Sequence, residues 1–142
     1  MIWKDRAIKQ VMFKCQRCGD CCTGPEVVDI YPEDINRLTR KFHTNMESVL
    51  SRFCAEHPLG GKRFTLKNLK PCQFYRNGCR IYHYRPIVCR MAPYLVGAWN
   101  YCDNDFGDLP DLSDDVIILG LVKCTGLSAT EIFRYLKYIG AI

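Results

Sequence analysis

The segment Cys15-Gln16-Arg17-Cys18-Gly19-Asp20-Cys21-Cys22 is the first concentration of chemistry in the chain. Two residues between thiolates let the backbone turn so that both sulfurs face one ion, and Gly19 permits the conformation such a turn needs. Cys21 repeats the spacing of Cys15 and Cys18, which gives the C-x2-C-x2-C opening of a bacterial ferredoxin run. The C-x3-C-P continuation of that run is absent, and Cys22 follows at once. Side chains of consecutive residues point to opposite sides of an extended chain and diverge by about 100° in a helix. Cys21 and Cys22 therefore reach one tetrahedral ion only with backbone strain, and the pair predicts either two sites or one polynuclear centre.

Further thiols stand at Cys72, Cys79, Cys89 and Cys124, and Cys54 and Cys102 bring the total to ten in 142 residues. Disulfides would need an oxidising compartment, to which nothing in the chain directs it. Core filling accounts for one or two thiols. Ligation accounts for both the number and the spacing. Cys54 falls eight residues after Met46, on the apolar face of a predicted helix, and reads as a buried core thiol; Cys102, on a loop edge, reads as a bystander before a ligand. His83, four residues after Cys79, is a candidate ligand at a site short of a thiol, with a surface His the simpler reading. His43 and His57 read as helix-end residues, where a cation suits the dipole. No Ser–His–Asp pattern is present, and thiols at ligand spacing make a Cys–His nucleophile a poor fit.

These blocks resemble the CxxCxxCC family of zinc- or iron-chelating proteins, also called YkgJ-type cysteine-cluster proteins. The resemblance lies in Phe13-Lys14 with the Cys15–Cys22 run, in Cys72-Gln73-Phe74, in Cys79-Arg80-Ile81-Tyr82 with Arg85-Pro86, and in Cys89-Arg90. It spans residues 13 to about 126. It implies eight metal-linked cysteines, Cys15, Cys18, Cys21, Cys22, Cys72, Cys79, Cys89 and Cys124, holding zinc or iron, the iron as an iron–sulfur cluster in one form. The family's last motif is typically C-P-G, and Cys124-Thr125-Gly126 departs from it, which makes Cys124 the least secure of the eight. A related cysteine block occurs in flagellin lysine methylases. The short chain shows no S-adenosylmethionine-binding glycine motif, so methyl transfer is a weak carry-over.

Around these thiols the pattern predicts short strands and helices. Val27–Ile30 and Phe64–Leu66 read as strands, and Pro32 to Phe42 as a helix with Pro in its first turn. Thr44-Asn45-Met46-Glu47 reads as a capping box opening a helix with Met46, Val49, Leu50 and Phe53 on one face. Asn77-Gly78 between Phe74-Tyr75 and Cys79–Tyr82 signals a hairpin that carries Cys72 and Cys79 on its two arms. Residues 103–115 read as an acidic loop, with residues of the wrong type for an EF-hand at its sixth and twelfth positions. Val116–Val122 is strand or helix, periodicity being silent. Ser128-Ala129-Thr130-Glu131 is a second capping box before a helix with Ile132, Tyr135, Leu136 and Ile139 on one face, stopped by Gly140.

The chain is 16.5 kDa with 48% hydrophobic and 25% charged residues, which excludes a disordered tail or a fibre. No apolar run reaches a membrane span, and no apolar stretch behind Met1–Arg6 marks a secretory signal. From His57 through Cys102 there is no Asp or Glu, and Lys62, Arg63, Lys67, Lys70, Arg76, Arg80, Arg85 and Arg90 are interleaved with aromatics. Such a stretch can bind single-stranded nucleic acid. It can equally offset thiolate charge, since two four-thiolate sites of about −2 each would bring the formal +5 to about +1. We favour compensation. The expectation is a cytoplasmic α+β protein, one domain over 1–142, whose metal centre organises its core. An iron–sulfur centre such as [4Fe–4S] is favoured over zinc. The favoured role is an electron-transfer or cluster-carrying accessory to a larger enzyme. The rivals are a zinc-stabilised binding module for nucleic acid or protein and a cluster-dependent group-transfer enzyme.

Overall fold

A computed structural model of the chain describes residues 3–13, 27–67, 72–96 and 106–142. In chain order the elements are α1 (Trp3–Met12), β1 (Asp29–Ile30), α2 (Pro32–Phe42), α3 (Met46–Phe53), β2 (Cys54–Glu56), β3 (Phe64–Leu66), a 3-10 turn (Tyr82–Tyr84), α4 (Ile87–Met91), α5 (Asp114–Thr125) and α6 (Ala129–Tyr138). Helices with a small antiparallel sheet of order β1-β3-β2 make this a small α+β protein, as expected. The chain divides into two compact units: a sheet unit, Gln16–Arg90, and a helical unit, Met1–Cys15 with Met91–Ile142.

In the sheet unit, α2 has the predicted bounds. Pro32 occupies its first turn, where a missing N–H costs nothing, and His43 closes it in the left-handed region at φ 51°. The cap of α3 is Asn45, not Thr44. The Thr44 N–H closes the preceding helix on the Thr39 carbonyl, and the Asn45 side chain accepts from the Ser48 N–H at 2.9 Å instead. Val49 and Phe53 turn inward, whereas Met46 of the predicted apolar face is exposed. Phe42, Phe53 and Phe74 form a ring cluster with centroids 4.8–6.0 Å apart. Cys54 is buried as expected, but on β2 beside Leu66 of β3 and not on the helix, which ends at Phe53. His57 is not a helix-end residue either. It follows β2, where its Nδ1 accepts from the Leu59 N–H at 3.0 Å and its Nε2 lies 3.1 Å from Asp29 Oδ1 on β1.

The helical unit settles Val116–Val122 as part of α5. Ser113 caps that helix, Gly126 ends it at φ 73°, and Asp114 and Asp115 of the predicted acidic loop lie in its first turn. Carboxylates there complement the helix dipole. The cap of α6 forms in its Ser128 half: Ser128 Oγ accepts from the Glu131 N–H at 3.2 Å, while the Glu131 carboxylate accepts from the Ser128 hydroxyl at 3.3 Å and not from its backbone N–H; Ile132, Tyr135 and Leu136 are buried. Ile139 of the predicted apolar face lies just past the helix end and is exposed. Helix α1 was not foreseen. It packs Ala7 and Ile8 inward, and a Cβ on Gly120 of α5 would stand 2.9 Å from Val11 Cγ1, so the two helices approach closely only because Gly120 has no side chain. Among the described residues no single helix is long and apolar enough to cross a membrane.

Candidate metal centre

Cys15, Cys18, Cys21 and Cys22 lie outside the described residues, as does Cys102. Cys72, Cys79 and Cys89 all belong to the sheet unit, and each is half-buried. Each sits on a segment fixed by a different local device.

Cys72 opens a turn in which its carbonyl accepts from the Tyr75 N–H at 2.9 Å. The neighbouring Gln73 side chain donates to two carbonyls, Phe53 at 3.0 Å and Lys67 at 2.8 Å, which staples the segment to the ends of α3 and β3. Cys79 pairs with Tyr75 across a three-residue loop. Asn77 and Gly78, at φ 55° and 125°, supply the positive φ values that this reversal requires. The predicted hairpin is therefore present as a tight turn with a single bridging pair, not as two strands.

Cys89 lies in α4. Arg85 Nε donates to the Tyr82 carbonyl at 2.8 Å, and its guanidinium lies 4.0 Å from the Tyr82 ring centre. Arg90 donates to the carbonyls of Arg85 at 2.8 Å and His83 at 2.9 Å. These two arginines thus brace the backbone that leads into the helix carrying Cys89. The imidazole of His83 is exposed and meets the Tyr82 ring edge-on.

Two further thiols differ in character. Burial pushes the Cys54 thiol up to about 11, so it stays protonated at neutral pH and is a poor ligand. Cys124, on α5, belongs to the helical unit. The residue is exposed, yet its sulfur turns back toward the carbonyls of Leu121 at 3.7 Å and Gln10 at 4.0 Å, and burial raises its thiol. Among the described residues no three His, Cys, Asp or Glu are gathered as a metal-holding group. The donor chemistry nonetheless fits a thiophilic metal: Cys72, Cys79 and Cys89 offer soft sulfur donors on or beside braced backbone.

Two residues that hold these segments escaped the sequence reading in this role. Gln73 stood out only as part of a motif. Asp34 is 1% exposed in the sheet unit, and its carboxylate accepts from the N–H groups of Tyr31 and Ile87, each at 2.9 Å, and from Arg37 Nη1 at 3.1 Å. An acidic residue two positions after the Pro that opens a helix was the available signal for its local half.

Among known proteins, the chain is 29% identical over 153 aligned positions to an uncharacterized protein of Methanocaldococcus jannaschii, MJ0661, with 96% of this chain and 75% of the relative covered. No solved structure matches it. The family profile described as "Putative zinc- or iron-chelating domain" matches residues 14–111, a span that takes in Cys15, Cys18, Cys21, Cys22, Cys72, Cys79 and Cys89 and ends before Cys124. With most of its length inside that match, the chain belongs to the CxxCxxCC family of zinc- or iron-chelating domains.

Proposed function

We propose that the chain is an iron–sulfur cluster protein that serves a larger enzyme as an electron-transfer or cluster-carrying accessory. The proposed ligands are Cys15, Cys18, Cys21, Cys22, Cys72, Cys79, Cys89 and Cys124, with Cys124 the weakest member. A bound cluster would supply one-electron exchange. The observation that carries the reading is the ferredoxin-like opening triplet with its adjacent Cys22, inside a chelating family and in one chain with three thiols on braced backbone. The proposed compartment is the cytoplasm, whose reducing poise keeps thiols available for ligation.

A second reading has one observation in its favour: the family description names zinc beside iron, and thiolates suit both. In it the metal builds a binding module for protein or nucleic acid, and the exposed Arg76 and Arg80 supply basic surface. Elemental and sulfide analysis of protein purified without oxygen separates the two. Several iron atoms with matching sulfide support the first, and two zinc atoms without sulfide the second. One metal atom per chain with four or more titratable motif thiols refutes the polynuclear reading. In the same assay Cys79→Ser loses metal. Cys54→Ser retains it and loses about 1–2 kcal/mol of stability through a poorly paired buried hydroxyl.

A further inference from the structure

The buried carboxylate of Asp34 does more than its own helix requires. A cap for α2 needs one acceptor, and Oδ2 fills that role on the Tyr31 N–H at 2.9 Å. Oδ1 leaves the helix and accepts, across 53 residues of sequence, from the Ile87 N–H at 2.9 Å. Arg37 Nη1 lies 3.1 Å from the same oxygen. A buried carboxylate is held only at a substantial desolvation cost, which an exposed Asn or Ser cap would avoid. The bond outside the helix gives that cost a purpose.

Its target is specific. Pro86 is fully buried and has no N–H, so Ile87 is the first residue of α4 able to donate. Cys89 stands two residues further on, in the same short helix. The other braces of this region, from Arg85 and Arg90, bind carbonyls on the 82–85 side. Asp34 supplies a hydrogen bond that ties the start of α4 to α2.

We propose that Asp34 is a positioning residue for Cys89, its carboxylate fixing the first turn of α4 on α2 so that the Cys89 thiol is held where it meets the metal. This rests on the reading of Cys89 as a ligand. Partners outside the ligand shell that orient a ligand change metal affinity by about 10–100-fold when lost.

The test is site-resolved thiol alkylation of the metal-loaded protein, quantified cysteine by cysteine with iodoacetamide and peptide mass analysis. Asp34→Asn keeps the size of the side chain. Its single oxygen cannot serve both Tyr31 and Ile87, and its NH2 faces a donor. Cys89 is expected to react about tenfold faster than in the wild type, with Cys79 still protected. Val49→Ala, a core truncation in the same unit, should leave the ratio of Cys89 to Cys79 reactivity unchanged. Should the Asn chain not fold, Asp34→Glu, which keeps the charge and displaces the carboxylate, takes its place in the comparison. Equal Cys89 protection in variant and wild type overturns the inference alone. A parallel rise at Cys72, Cys79 and Cys89 also overturns it, since it reports general loosening. A wild-type protein whose Cys89 is unprotected while Cys79 is protected overturns the reading of Cys89 as a ligand, and the inference with it.

Discussion

The two units are held together by different means. In the helical unit, side chains fit against one another: Val11 against the bare backbone of Gly120, and Leu121, Ile132 and Leu136 fully buried, with Tyr135 donating to the Leu95 carbonyl at 2.6 Å. In the sheet unit, strands of two and three residues offer little ladder, and polar side chains tie the segments carrying Cys72 and Cys89 to backbone. The helical unit has polar ties too, from Arg6 to the Tyr94 and Val96 carbonyls and from Gln10 to the Ala92 carbonyl, but none of these holds a segment carrying Cys72, Cys79 or Cys89. The sheet unit's ties fix where those segments stand, and on the proposed ligation a bound metal would add to its stability.

Metal removal should break the comparison most sharply. Structural thiolate–metal sites contribute on the order of 10 kcal/mol to folding. Stripping the metal should abolish the cooperative transition of the sheet unit, while amide protection in α5 and α6 persists. Hydrogen exchange on the apo-protein reads both at once, and a sharp melt at the holo temperature would contradict the picture. Gly120→Ala probes the other side. The added methyl meets Val11 at 2.9 Å, so it should cost about 1–3 kcal/mol by overpacking and leave metal content unchanged. An unchanged melting temperature would show that α1 and α5 are not close-packed.

A smaller effect follows from Asp34. Burial is the main force pushing its carboxyl up to about 6, against the lowering influence of the Tyr31 and Ile87 N–H groups and the Arg37 and Arg90 charges. A carboxyl raised above its unfolded value contributes stability that is full below the unfolded value and is lost as pH rises through the folded one. Falling pH from 7 to 5 should therefore stabilise the wild type relative to Asp34→Asn by about 1–2 kcal/mol. The groups facing Asp34 do not mask this: the guanidiniums stay charged, and the Cys54 thiol, pushed up to about 11, stays neutral. Melting temperature against pH for the two proteins checks it, and parallel curves would remove Asp34 as the titrating group.

Local rules made part of this legible. The bounds of α2, the Ser128 cap and the positive φ at Asn77-Gly78 each depend on a few neighbouring residues, and each was readable. The Asn45 cap was not, because it depends on Thr44 being used by the previous helix. Helix α1 was missed although Ala7, Ile8 and Val11 share one face, since Lys4, Arg6, Lys9 and Gln10 dilute the apolar signal. At the candidate site the thiols announce themselves by spacing. The bond from Asp34 to Ile87 bridges 53 residues and leaves no periodic trace.

The Tyr75–Cys79 bridge bears on the order in which the site assembles. Seven positions separate Cys72 from Cys79, and fifty-seven separate Cys22 from Cys79. Chain-closure entropy grows with the logarithm of the loop, so joining the distant thiols costs about 2 kcal/mol more than joining the near ones. The turn has already met the smaller cost with its own hydrogen bonds. On the proposed ligand set, a metal would meet Cys72 and Cys79 on a turn that is already closed, and the closure left to it would be the longer one to Cys22. Under that reading, loading would be a problem of long-loop closure.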